Sequence, residues 1–227
     1  MNNKDLIPID SVFTVDSSLD LPEFVTAKKL MNNNYGNEYV LLPPHITYAL
    51  TPLPESNFEK VKVDIISYIN RQKPFKAHIS DLVCEAKKDF FYVSIIAEQI
   101  KQHHKNITRI LNRYRDNSIR TKDLVKLNNG EFDSLSAKYV KEFGYSRVFE
   151  RYVSHATIGN FTKANVDVSD LTGQLRLILK TVLNTEISID GMHCAFSNST
   201  TQLQQSNADP HWEQTFELLG GDSLKPS

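Results

Sequence analysis

Residues 42–50 read LPPHITYAL and residues 153–161 read VSHATIGNF. Both contain His-x-Thr followed by an apolar residue: His45-Ile46-Thr47-Tyr48 and His155-Ala156-Thr157-Ile158. Each lies in an alternating, β-branched run that predicts a strand, at roughly 38–50 and roughly 148–159. Successive strand residues point to opposite faces, so His45 and Thr47 share one face while Ile46 and Tyr48 pack on the other. The same holds for His155 and Thr157, so each strand presents one imidazole and one hydroxyl to one side. Seven histidines make a chance match to this pattern rare, on the order of 0.1 in the chain. Two at equivalent places are far rarer.

Working outward, further strands are predicted at roughly 8–15, 74–83, 89–97, 185–196 and 212–219. Helical spacing predicts helices at roughly 20–32, 55–72, 98–115 and 168–183, the last capped by Asp167 or Ser169. The order is strand, helix, strand, helix, strand, then the same five again with a final strand. From His45 to Phe75, which opens the strand after the intervening helix, is 30 residues; from His155 to Thr185 is also 30. The pattern reads as a duplication in one bilobal domain over 1–220, with lobes of about 8–88 and 89–219 and a disordered tail at 221–227. The second half carries an extra segment at about 116–147, expected to be a loop with one helix near 133–142 that forms a lid or rim.

Two imidazoles facing one another suit displacement at a phosphodiester. Attacking and leaving oxygens lie on opposite sides of phosphorus, so one group must take a proton and another must give one. The two Thr hydroxyls are placed to hold the nonbridging oxygens. No zinc-type spacing or paired Asp cluster flanks either motif, so neither metal nor cofactor is expected.

The paired HxTx motifs resemble those of the 2H (two-histidine) phosphoesterase superfamily. LPPHITYAL resembles its Pro-Pro-His lead-in, and the order of elements agrees from about residue 8 to 219. The resemblance implies an α+β fold with two antiparallel-type sheets facing a central cleft, helices outside, and the motifs on opposing walls. It makes His45 and His155 the acid and base, and Thr47 and Thr157 the phosphate ligands. It implies a metal-independent phosphodiesterase acting on a 2',5'-linked or cyclic nucleotide or an RNA end. A non-catalytic nucleotide- or RNA-binding module and an RNA 2',5'-ligase-type activity are the alternatives. The ligase-like branch usually carries an Arg after its second motif, where this chain reads Gly159-Asn160-Phe161.

Composition agrees with a globular protein: of 227 residues, 40% are hydrophobic and 23% charged. Lys and Arg number 26 against 27 Asp and Glu, a net charge of −1 that argues against a duplex-DNA binder and for a small or single-stranded substrate. No stretch is long and apolar enough for a membrane span and the start lacks a leader pattern, so a cytoplasmic monomer is expected. Cys84 and Cys194 read as free thiols. Between Lys101 and Arg151 there are twelve Lys or Arg and six Asp or Glu, a basic stretch suited to steering an anion. Tyr39, Tyr145, Tyr152 and Trp212 are the candidates for stacking on a base. His103 and His104 are expected on a solvated helix face. Structural roles are expected for His193 and His211, and His78-Ile79-Ser80-Asp81 is a weak third match.

Overall fold

The computed structural model describes residues 5–35, 43–85, 90–160, 166–198 and 212–217. Tyr39, His211 and the tail at 221–227 lie outside these residues. In chain order the elements are β1 (Ile7–Ile9), β2 (Ser11–Ser18), α1 (Pro22–Tyr35), β3 (His45–Pro52), α2 (Phe58–Ile69), β4 (Phe75–Glu85), β5 (Phe90–Ile96) and α3 (Glu98–Asn112). Then come β6 (Ser118–Arg120), α4 (Thr121–Asn128), α5 (Ser134–Phe143), β7 (His155–Asn160), α6 (Val168–Leu179), β8 (Thr185–Ile189), β9 (Gly191–Asn198) and β10 (Trp212–Glu217). The fold is α+β, and the four expected helices are α1, α2, α3 and α6. Asp167 caps α6, its carboxylate accepting from the main-chain N–H groups of Ser169 and Asp170.

Eight strands form one sheet in the order β10-β9-β2-β3-β7-β5-β4-β8. β8 and β9 are six strand spacings apart in that order, about 29 Å if the sheet were flat. Yet Ile189 ends one and Gly191 begins the other, and two residues span at most about 7 Å. The sheet is therefore curled. Its two four-stranded halves, β10-β9-β2-β3 and β7-β5-β4-β8, meet at a seam where one pair, Ile46 with Ala156, bridges β3 and β7.

The halves of the sheet are not the halves of the chain. β4 belongs with β5, β7 and β8, and β9 and β10 belong with β2 and β3, so a division of the chain at residue 88 does not follow the sheet. The predicted strand at 185–196 is two strands in different half-sheets, parted at Asp190. Local periodicity reads both as one run because alternation carries no information about pairing partners.

The core lies on one face of the sheet. Ile46, Tyr48, Ala156 and Ile158 are buried there, with α3 packed on β3 and α1 on β7. The alternation in β3 and β7 leaves His45, Thr47, His155 and Thr157 half-buried on the opposite face.

The segment at 116–147 is more ordered than expected. It forms β6, α4 and α5, with β6 parallel to β1 and a small core of Leu6, Ile119, Leu127 and Val140. Sequence spacing marks α5 but not α4, an eight-residue, mostly polar helix that depends on packing Leu127 rather than on its own propensity. Arg115, 3% exposed, ties this unit to the body: its guanidinium donates to the carbonyls of Ser118, Lys141 and Glu142. Gly144 ends α5 with φ 74°, and a Cβ there would lie 2.5 Å from Cγ of Pro52, the last residue of β3.

Candidate active site

The register of Ile46 with Ala156 sets Thr157 across from His45 and His155 across from Thr47. The four side chains thus occupy the corners of a quadrilateral on one face of the seam, related by a pseudo-twofold through the central pair. The imidazoles take one diagonal, for which antiparallel strands give a Cβ separation of about 7–8 Å.

The two rings are held alike. Nδ1 of His45 is 2.7 Å from the Pro43 carbonyl oxygen, and Nδ1 of His155 is 2.7 Å from that of Val153. A carbonyl only accepts, so Nδ1 carries the proton in each neutral ring and Nε2 is its basic nitrogen. Burial holds the His155 pKa below the ordinary histidine value; the Arg147 and His45 charges add to this, while the Val153 carbonyl and Glu85 oppose it. The neutral ring is accordingly the favoured form of His155 near pH 7.

The walls flanking the seam differ. Beside β7, β5 aligns Ser94 with His155 and Tyr92 with Thr157, placing Tyr92 on the face of the motif. The Tyr92 ring lies 5.1 Å from the His155 ring and Phe90 lies 6.4 Å from it, both edge-on. Beside β3, β2 places Asp16 across from Thr47 and Ser18 across from His45, and β9 places His193 across from Asp16. One wall is aromatic, with the Arg147 charge near it, and the other is polar.

Other expected residues fall elsewhere. Tyr152 is not a stacking surface: its hydroxyl donates to the Thr47 carbonyl at 2.9 Å and its ring lies flat on His104, centroids 3.8 Å apart. Tyr145 sits under the Arg120 guanidinium in the inserted unit, 4.8 Å from ring centroid to carbon. Trp212 opens β10 beside Ala195 of β9. His78 is on β4 across from Ile96, two strands from β7.

His103 and His104 are not solvated; they are 5% and 2% exposed. Tyr68 and His103 share a 2.8 Å hydrogen bond, and His104 binds the Tyr48 carbonyl through Nδ1 at 2.6 Å. Helical spacing with Ile100 and Ile107 is the signal for their burial, masked by their polar neighbours. Tyr92 and Phe90 carry no local signal, because β5 and β7 become neighbours only through pairing over some sixty residues of chain, whereas Arg147 lies in the basic stretch read from the sequence. Among the described residues, no group of three or more His, Cys, Asp or Glu is placed to hold a metal ion, and no helix is long and apolar enough to cross a membrane.

No protein-family model and no curated protein matches the sequence. Solved structures match in fold. TT0787 of Thermus thermophilus is similar with a TM-score of 0.53 and 13% identity, over 93% of this chain and 100% of that one. Usb1 of Kluyveromyces marxianus matches with a TM-score of 0.45 and 12% identity over 92% and 98% of the two chains. A structure described as a phosphoesterase gives 0.41 and 9% over 93% and 94%. The agreement with TT0787 extends over nearly the whole of both chains, so the α+β fold is a shared one.

Proposed function

We propose that this chain is a phosphodiesterase of the two-histidine type, which cleaves a 2',5'-linked or cyclic phosphodiester of a small nucleotide or RNA end without a metal. The observation that supports this reading is the grouping of His45, Thr47, His155 and Thr157 about the Ile46–Ala156 pair, with each Nδ1 committed to a carbonyl, so that Nε2 is the basic nitrogen of each neutral ring. A substrate phosphorus seated between the rings meets a proton acceptor on one side and a donor on the other. His155, held neutral by burial, takes the proton of the attacking water or ribose hydroxyl as its oxygen bonds to phosphorus. Protonated His45 gives its proton to the oxygen that leaves as the opposite P–O bond breaks. The Thr47 and Thr157 hydroxyls donate to the nonbridging oxygens, whose charge is held in the transition state.

The aromatic wall supports a nucleotide as substrate. Tyr92 and Phe90 offer a base a stacking surface beside His155, and Arg147 supplies positive charge for an anion. Incubation with 2',5'-, 3',5'- and cyclic mono- and dinucleotides in EDTA, with products identified, tests the reading. Turnover in EDTA of at least one 2',5'-linked or cyclic substrate is expected. Binding without cleavage would make the chain a nucleotide-binding module, and abolition by chelator with restoration by a divalent ion would overturn metal independence.

A further inference from the structure

We propose that His104 and Tyr152 are positioning residues, which together clamp the second motif to the first across the seam and so set the separation of the two reacting imidazoles. The proposal rests on the phosphodiesterase reading of the motif pair but is built from contacts outside it.

Among the described residues, Ile46 with Ala156 is the pair that joins β3 to β7, so the sheet ladder holds the two motifs together at one point. A single bridge leaves the strands able to pivot, and the backbone groups beside it need other partners. Tyr152, three residues ahead of His155, supplies one: its phenol donates to the carbonyl oxygen of Thr47, the residue between the first motif's two apolar positions. His104, from α3, supplies the second link. Its Nδ1 donates to the carbonyl oxygen of Tyr48, and its Nε2 accepts from the main-chain N–H of Phe149, 2.8 Å away. Both ring nitrogens are therefore used in the neutral form, and the ring is stacked on Tyr152, with 6° between the planes. Two successive carbonyls of the first motif are thus tied to residues 149 and 152, the lead-in to the second.

The lead-in is itself constrained. Phe149 has φ 52°, a left-handed conformation that a bulky side chain adopts only when its surroundings impose it. His104 holds the Phe149 N–H, and the Phe149 ring packs edge-on against Phe143 at 4.8 Å and Tyr139 at 5.8 Å. Burial pushes the His104 pKa down to about 4, so the neutral form that this bonding pattern requires is the form present near neutrality. The chain enters β7 from a bent, pinned turn, and the direction of that entry sets where His155 stands.

The test uses the full chain and the variants Tyr152→Phe and His104→Ala. Tyr152→Phe keeps the ring that stacks on His104 and removes the hydroxyl that binds the Thr47 carbonyl. In folded Tyr152→Phe, kcat should fall about 10- to 100-fold with KM nearly unchanged, as expected for displaced catalytic groups. The second readout needs no substrate. In ¹⁵N-labelled protein, the shift in the His155 titration midpoint caused by His45→Ala measures the electrostatic coupling of the two rings. That shift should be smaller in the Tyr152→Phe background. An unchanged shift would overturn the clamp whatever happens to turnover, because a residue that merely stabilises the fold does not alter coupling in the folded state. If His104→Ala does not fold, Tyr152→Phe decides alone. Absence of turnover by the unaltered protein on every phosphodiester would instead overturn the phosphodiesterase reading, and the titration would still decide the clamp.

Discussion

Ile46 and Ala156 pair across the seam between the two half-sheets, and the catalytic candidates are their immediate neighbours on either strand. Because antiparallel pairing relates the strands by a local twofold, the two copies of His-x-Thr meet head to tail. Each histidine then faces the other motif's threonine, and a substrate between the imidazoles meets equivalent groups from either side.

His45→Ala and His155→Ala should each lower turnover by at least about 10², and the double variant should lose little more than the worse single one. Thr47→Val and Thr157→Val should lower kcat more than they raise KM. Steady-state kinetics on any accepted phosphodiester checks both; near-native turnover in either alanine variant contradicts the two-histidine mechanism.

The acid limb of the kcat/KM profile should fall below the ordinary histidine value of about 6.5. Burial lowers the His155 pKa, so the ring stays neutral to a lower pH and the base is lost only below that point. Arg147→Ala removes a positive charge that contributes to the depression, so it should move this limb upward. A limb that stays in place or moves down would contradict the assignment of His155 as base.

Tyr92→Ala should weaken nucleotide binding by about 10-fold or more while leaving a simple aryl phosphodiester nearly unaffected, since stacking on one base is worth about 1–3 kcal/mol. The ring is 5.1 Å from the His155 ring, close enough to carry a base beside it. Comparing KM for the two substrate types is the measurement, and equal losses on both would count against the aromatic wall.

Gly144→Ala should destabilise the protein by about 2 kcal/mol or more. It combines a positive φ with a Cβ placed 2.5 Å from Pro52, at the end of the strand that carries His45. Urea unfolding measures the loss. A change of only a few tenths of a kcal/mol would mean that the junction between the inserted unit and β3 yields easily.

Acid should destabilise the fold through His103 and His104. Burial pushes both down to about 4 in the folded state, whereas the unfolded value is about 6.5. Between those values the unfolded chain binds more protons, so stability rises with pH: the contribution is complete above about 6.5 and is lost as pH falls toward 4, on the order of 3 kcal/mol for each ring. Urea midpoints across this range check the slope. His103→Gln, which cannot titrate, should flatten it by about one proton, and an unaltered slope would contradict the burial of a neutral ring.

Local features are written in the chain itself. Alternation puts His45 with Thr47 and His155 with Thr157 on one side of their strands, and apolar spacing marks α1, α2, α3 and α6, because each depends on residues a few positions apart. The second appearance of His-x-Thr is enough to single out the four candidate site residues. Which strands are neighbours, by contrast, emerges only in the folded chain. The pairing of β4 with β5 and β8, the passage of the chain from one half-sheet to the other at Asp190, and the single bridge between β3 and β7 join residues far apart in the chain. Such pairing is fixed by packing and register across the whole sheet, to which no local window has access. Tyr152 and His104 illustrate the difference: local pattern makes one a stacking surface and the other a solvated side chain. Folding brings the first onto the Thr47 carbonyl and the second between Tyr48 and Phe149.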